Sequence, residues 1–472
     1  MRHIAFLLST LAALGAVHAQ ENYVSSWSGH KNVVLNTHSV QGGAAVSGNV
    51  YNFPVLVRLG TADSAIFIQS KAGGADLRFT KANNTTRLPH QIESWNAAGR
   101  SAAVWVLVDT VRGMRNNQYI RMHWGNSSAN DSSSGTQTFR TANGFQAVWH
   151  MNGASAACNE TDATANGLTA TQNSNPATAT GMIAGGRFIA NATTTATQYF
   201  NVANSASPLN FSELGTYTVS AWVNLNSVAT HATVVSKHDL AYALKTDKNS
   251  TWEFFEFGTG SGWNAVNGNG AEAGTWQLLM GVQNGGDMAF YQNGQRVDAG
   301  VISTANGGTH STDQDLLIGA EPQTATTRRR PLDGIVDEVR IASASRTADW
   351  AKLEYENQKV GQTLVRLLDT VPPLSIFSAH GFGENFSMQT TGAGMVFRVL
   401  DPRASAVRIS IMDLQGRSVW SYRGAAAEPV TWDGVSVTGK RASQGLYMVR
   451  VDLIDASGAK AGSIERRLPL TR

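Results

Sequence analysis

Apolar and polar residues alternate in YTVSAWVNL (217–225): Tyr217, Val219, Ala221, Val223 and Leu225 share one face, and Thr218, Ser220, Trp222 and Asn224 the other. A period of two commits such a stretch to a half-buried strand, because successive side chains of an extended chain point to opposite sides. Similar short β-type runs recur in NFPVLVRL (52–59), ADLRFTK (75–81), SAAVWVLVDT (101–110), YIRMHWGN (119–126) and VRISIMDLQGRSVWSY (407–422). Clusters of Gly, Asn and Ser separate them, as turns do. Asn293-Gly294 and Asn284-Gly285-Gly286 are hairpin signals within TWQLLMGVQNGGDMAFYQNGQRV (275–297). With only 15% of residues charged, the expectation is an all-β chain of antiparallel sandwiches.

A chain of 472 residues exceeds what one core supports, so several domains are expected. Cys158 is the sole cysteine; no intrachain disulfide can form, and each domain must be held by its own core. Cys158 reads as a small half-buried residue, with a reactive or intermolecular thiol as the alternative. MRHIAFLLSTLAALGAVHAQ has Arg2 ahead of an apolar run and small residues leading to Ala19, which reads as a signal peptide over 1–19 and a secreted or outer-surface location after cleavage. No other run approaches the roughly 18 apolar residues of a membrane span, so no transmembrane segment is expected. Loss of Arg2 takes the net charge from +3 to +2, too close to neutral to attract nucleic acid. The expected divisions are an N-terminal all-β domain at 20–139, a second domain at 144–358, a linker at 359–392 around Pro372-Pro373, and a C-terminal domain at 393–472. NSSANDSSSGTQT (126–138) reads as a linker or mobile loop.

Three resemblances follow from these segments. FPVLVRL (53–59), GADLRFT (74–80), Leu88-Pro89, IESW (92–95), VWV (104–106) and WGN (124–126) resemble the bacterial domain of unknown function 2341, which implies a cell-surface or exported protein and supplies no known catalytic residues. YTVSAWVNL, Trp276, FYQNG (290–294), LLIG (316–319) and LDGIVDEVRI (332–341), with DATANG (162–167) and GMIAGGRF (181–188) upstream, resemble the laminin G-like, concanavalin A-like jelly roll. That family implies a two-sheet sandwich used mostly to bind glycans or proteins. Asp413, Gly416, Trp432, Gly434, Gly439, Gly445, Leu446 and Tyr447 resemble the Ig-like C-terminal domain of proteins exported by type IX secretion and its relative in the flagellar hook-capping protein. This implies the secretion machinery as a partner, although RRLPL (466–470) departs from the lysine-containing ends of that family.

Strict alternation in GIVDEVRI (334–341) puts Ile335, Asp337, Val339 and Ile341 on one face, and makes Glu338 and Arg340 a solvated pair. Asp337 among apolar neighbours needs hydrogen bonds or a cation. Two readings stay open: backbone N–H donors from an adjoining loop, or a structural calcium ion shared with Asp162 and Asn166. Glycoside hydrolysis needs two converging carboxylates, and Glu253 and Glu256 in WEFFEF (252–257) are three apart and so face opposite ways. Asp333 belongs to the turn before its strand. His-Glu-x-x-His, Gly-x-Ser-x-Gly and phosphate-loop patterns are absent, and Arg328-Arg329-Arg330 reads as a solvated loop. For a glycan, the useful groups are exposed aromatics with amides beside them. Trp263 and Asn264 in the polar GSGWN (260–264) are the first candidates, followed by Trp222 and Tyr242. The expectation is a non-catalytic binder of polysaccharide or surface glycan, with an adhesive protein that meets another protein, or a carbohydrate-active hydrolase, as rivals.

Overall fold

The computed structural model describes residues 23–370, 386–399 and 404–470, apart from 24, 40–41, 192–194, 205–207, 259–261, 303–309, 325, 392–393, 414, 427, 437 and 457. The signal-peptide segment and Pro372-Pro373 lie outside the described residues. The chain is multi-domain and all-β, as expected, with a concanavalin A-like jelly roll at its centre. It divides into two compact units. One holds the described residues up to Val33 with Tyr51–Val111 and Tyr119–Asp369; the other holds Val34–Val50, Arg112–Gln118 and the described residues from Thr370 onward.

The jelly roll is two antiparallel sheets. The first runs in the order Ala177–Thr180, Gly185–Ile189, Gly334–Ala342, Thr216–Leu225, Trp276–Asn284, Asp287–Gln292, Gln295–Val301, and Phe145–Trp149 also pairs with Gly334–Ala342. The second runs Gly262–Gly270, Thr251–Gly258, Tyr242–Thr246, Thr233–Ser236, Leu316–Ile318, Tyr199–Val202, Thr171–Asn173. Inward residues of both, among them Tyr217, Val219, Val223, Leu244, Phe254, Leu279 and Ile318, form one apolar core, which is what alternation demands of a sandwich. Gly281 faces Phe254 so closely that a Cβ there would sit 2.1 Å from its Cδ2.

Strand Gly334–Ala342 departs from strict alternation. Ser220 pairs with Arg340 but Trp222 with Asp337, so Ala221 alone faces both Glu338 and Val339. This is a β-bulge, and Glu338 takes the positive φ of 49° that it needs. Val336 is inward before the bulge, and Val339 and Ile341 are inward after it. Asp337, Glu338 and Arg340 are thereby turned to the outer face of the first sheet. Glu338 and Arg340 are not a solvated pair: both are buried.

What buries them is the N-terminal domain and the helix Ala348–Gln358, whose Thr347 hydroxyl accepts from the Trp350 N–H as its cap. The N-terminal domain has one sheet of Val365–Leu368, Gly29–Leu35, Gln118–Trp124, Arg78–Lys81 and Arg87–Leu88, and another of Val50–Leu59, Ser101–Val111 and His90–Asn96. Val365–Leu368 is thus a strand where the sequence suggested linker. Segment 126–138 is likewise anchored: Ser133 Oγ accepts from the Ile92 N–H at 2.8 Å, and Phe139 beyond it is fully buried. Asn357 exchanges two hydrogen bonds with the Leu56 backbone, 2.7 and 3.0 Å, and Arg58 donates to the carbonyls of Asn357, Gln358 and Met182. Trp105 lies under the Arg340 guanidinium at 4.4 Å.

The C-terminal domain pairs Phe386–Thr391, Gly394–Val399 and Val430–Trp432 in one sheet and Ser418–Ala425, Ala406–Met412, Gly445–Ile454 and Lys460–Leu470 in another. Phe397, Ile409, Ile411, Trp432, Val449 and Val451 form its core. Gly416 has φ +82° in the turn between strands Ala406–Met412 and Ser418–Ala425. No helix among the described residues is long and apolar enough to cross a membrane.

Gly281→Ala should lower the stability of the jelly roll by about 1–3 kcal/mol, because Phe254 cannot yield without disturbing the facing sheet. Urea unfolding of the variant against the parent checks this.

Candidate functional site

With the outer face of the first sheet covered, the open face of the jelly roll is the outer side of the second sheet. A groove of about 590 Å³ lies there, lined by His231, Lys245, Asp247, Lys248, Glu253, Phe255, Trp263, Ala265, Asn267 and Arg330. That volume is within the range of small-molecule sites. Strand register explains the lining. Lys245 pairs with Glu253 and Glu253 with Asn267; Ala243 pairs with Phe255 and Phe255 with Ala265; Phe257 pairs with Trp263. Directly opposed residues share a face, so a polar rung, an apolar rung and an aromatic rung lie side by side across adjacent strands.

Trp263 is 67% exposed yet fixed. Its indole N–H donates to the Asp239 carbonyl at 3.1 Å, and its ring meets Phe257 edge-on at 5.8 Å. Lys245 Nζ lies 4.4 Å from the Phe255 ring centre, 3.3 Å from Glu321 and 3.7 Å from Glu253. Glu321, fully buried, also accepts from Arg329 Nε at 2.9 Å and from Arg330 Nη1 at 2.7 and 2.9 Å. Arg329 in turn pairs with Asp239, the residue whose carbonyl holds Trp263. Burial would raise the Glu321 carboxyl, but Lys245 and Arg330 overturn that and hold it below its ordinary value. Burial pushes Glu253 up, with Lys245 opposing, and pushes Lys245 down, with Glu321 opposing. His231 is lowered by burial and by Arg330 and Lys245.

Residues 193–352 match the Concanavalin A-like lectin/glucanases superfamily. Residues 73–152 match the Domain of unknown function (DUF2341). No curated protein matches the chain. Among solved structures, the chain is similar to the botulinum neurotoxin serotype D binding domain, with 13% identity, TM-score 0.35, and 66% of this chain and 73% of that chain covered. It is also similar to domain 4 of AbnA, an extracellular arabinanase from Geobacillus stearothermophilus solved in complex with arabinotriose, with 19% identity, TM-score 0.30, and 44% and 97% covered.

Within the concanavalin A-like domain, the residues singled out in the sequence separate. Trp263 is in the groove. Asn264 is not among its lining residues; its Nδ2 donates to the Gly262 carbonyl at 3.1 Å. Trp222 and Tyr242 cannot stack on a ligand: Trp222 is buried beneath the helix with its N–H on Gln358 Oε1 at 2.7 Å, and Tyr242 is a core residue bonded to the Leu209 carbonyl at 2.9 Å. Asp162 accepts from the N–H groups of Val148, Thr164 and Leu168 and from the Thr164 hydroxyl. Both of its oxygens are thus engaged by donors, while Asn166 Nδ2 bonds to Gln146. Asp337 lies on other partners, accepting from the Ile183 N–H at 2.8 Å, and burial pushes its carboxyl well above the usual range. The backbone-donor reading holds for Asp337 through one of its two oxygens.

Arg329 and Arg330 are ion-paired, not a free solvated run. Glu253 and Glu256 do face opposite ways. Glu256 is on the buried side, bonded to Tyr217 and to His310 Nε2 at 2.9 Å, and burial pushes it up to about 7. Sequence reasoning missed Lys245, Phe255, Asn267 and Arg330. Lys245 and Asn267 share a face with Glu253 through cross-strand pairing, which becomes readable only once strand register is known.

Glu321→Gln should cost about 3 kcal/mol, since three cations lose their carboxylate in a partly dry site. The Glu321 carboxyl is held low, so its contribution is complete above its unfolded value of about 4.3 and is lost as pH falls through the lower folded value. Denaturant midpoints measured from pH 7 down to pH 3 should therefore fall more for the parent than for the variant.

Proposed function

We propose that this is an exported, non-catalytic binding protein whose concanavalin A-like domain holds a polysaccharide or surface glycan in the groove over Trp263, with the C-terminal domain serving export or anchoring. The observation that carries this reading is an exposed indole clamped by Asp239 and Phe257 at the end of a groove that offers both donors and acceptors. A fixed aromatic face suits the C–H face of a pyranose, and its immobility reduces the ordering cost of binding. Lys245, Lys248, Arg330 and Asn267 can donate to sugar oxygens, and Asp247, Glu253 and Asn267 can accept from hydroxyls. The non-catalytic assignment is supported by how the local acids are used. Glu321 is buried among three cations, and Asp247 accepts from the N–H groups of Asn249 and Thr251 in its own turn. The leader-like sequence of 1–19 supports export.

Trp263→Ala should weaken binding to a cognate polysaccharide about tenfold or more, the equivalent of roughly 1.4 kcal/mol of lost stacking, and leave the melting temperature unchanged because the ring is exposed. A glycan array on the full chain finds the ligand, and affinity electrophoresis of parent and variant measures the loss. Equal retention of the two would remove this groove as the binding site, and release of reducing ends would replace the binder with a hydrolase.

A further inference from the structure

Glu93, His150 and Glu338 meet where the N-terminal domain covers the bulged strand. Each offers a ligand atom, and these atoms all lie within 4.8 Å of one another. We propose that they form a binding site for one divalent transition-metal ion, zinc foremost, which fastens the N-terminal domain to the concanavalin A-like domain.

The surroundings are those of a metal site's outer layer. His150 Nε2 lies 3.2 Å from Gln91 Oε1; an N–H donated there leaves the Nδ1 lone pair facing the two carboxylates. Trp105 Nε1 donates to Glu93 Oε2 at 2.7 Å, and Arg340 donates to Glu338 Oε2 through Nη2 at 2.6 Å and Nε at 3.1 Å. Glu338 is thus tethered through Oε2 and turns Oε1 to His150, while Glu93 approaches His150 Nδ1 at 3.8 Å through Oε2, the oxygen that Trp105 also holds; donors of this kind orient metal-binding acids. Glu338 Oε1 approaches His150 Nδ1 at 2.6 Å, so the ion would take the place of the proton between them.

An independent observation points to a missing cation. The Glu93 side chain is 0% exposed, and its Oε1 has no hydrogen-bond partner among the described residues. A buried carboxylate oxygen left bare is costly.

The donor set selects the ion. One imidazole and two carboxylates suit zinc, manganese or ferrous iron, whereas calcium prefers six to eight oxygens and cuprous copper prefers sulfur. The protein ligands come from strand His90–Asn96, from the residue after strand Phe145–Trp149 and from the bulge, so the site exists only when both domains are in place. Binding energy for the ion is then energy for holding them together.

The test uses the full chain, purified without chelator, then stripped with EDTA and titrated with zinc chloride. One zinc per chain by elemental analysis is expected, with a melting temperature raised by roughly 5 °C at saturating zinc and visible absorption bands on substitution with cobalt. Glu93→Gln, which leaves Trp105 an acceptor, should weaken zinc binding at least tenfold. Absence of stoichiometric zinc with no shift in melting, or zinc bound equally by the variant, would overturn the proposal and leave the cluster an ion-pair network. Should the variant fail to fold, the strip-and-restore cycle on the unaltered chain decides alone.

Discussion

One extra residue opposite Ala221 governs the organisation of the central domain. The bulge at Glu338 lets Val336, Val339 and Ile341 all reach the sandwich core, and it places Asp337, Glu338 and Arg340 together on the reverse side of the sheet. Three ionisable groups on a sheet face would ordinarily mark that face as solvated. Here they are covered, and covering them requires partners: His150 and Glu354 from the concanavalin A-like domain, and Trp105, Glu93 and Arg58 from the N-terminal domain. Buried charge is poor glue in itself, but its hydrogen-bonding demands are directional. They specify how the two domains meet in a way that apolar contacts such as Phe53 against Trp350 cannot.

The same arrangement decides where ligand chemistry can occur. A jelly roll has two outer faces, and closing one leaves the other open. On the open side the second sheet sets an aromatic rung beside an apolar and a charged rung, and Glu321 holds the charged side chains in fixed positions. The link from Glu321 through Arg329 to Asp239 and on to the Trp263 indole ties the platform to the charge network.

Alternation in YTVSAWVNL, the Asn-Gly turns and the motifs of both N-terminal domains made the architecture readable in the sequence, because side-chain period and turn chemistry are local properties. Glu253 and Glu256 separated as their spacing demands, and Trp263 is exposed as expected, although it sits on strand Gly262–Gly270 and not in a loop. What failed was non-local. Nothing local to GIVDEVRI announces a bulge, so Glu338 and Arg340 looked solvated. Trp222 and Tyr242 looked available because the helix, the core loop and the sheet that bury them come from distant segments. Glu321 was invisible for the same reason: its partners Lys245 and Arg330 lie 76 and 9 residues away.

The closed face of the first sheet also bears on how the molecule can be divided. Cutting the chain near residue 144 to isolate the jelly roll would strip the cover from Arg340, Glu338 and the helix end at Asn357 and Gln358, exposing polar groups built for a neighbour that is no longer there. The familiar fold name suggests a portable unit. The side chains describe two sequence domains that share one compact unit, and a fragment begun near residue 144 would be an amputation.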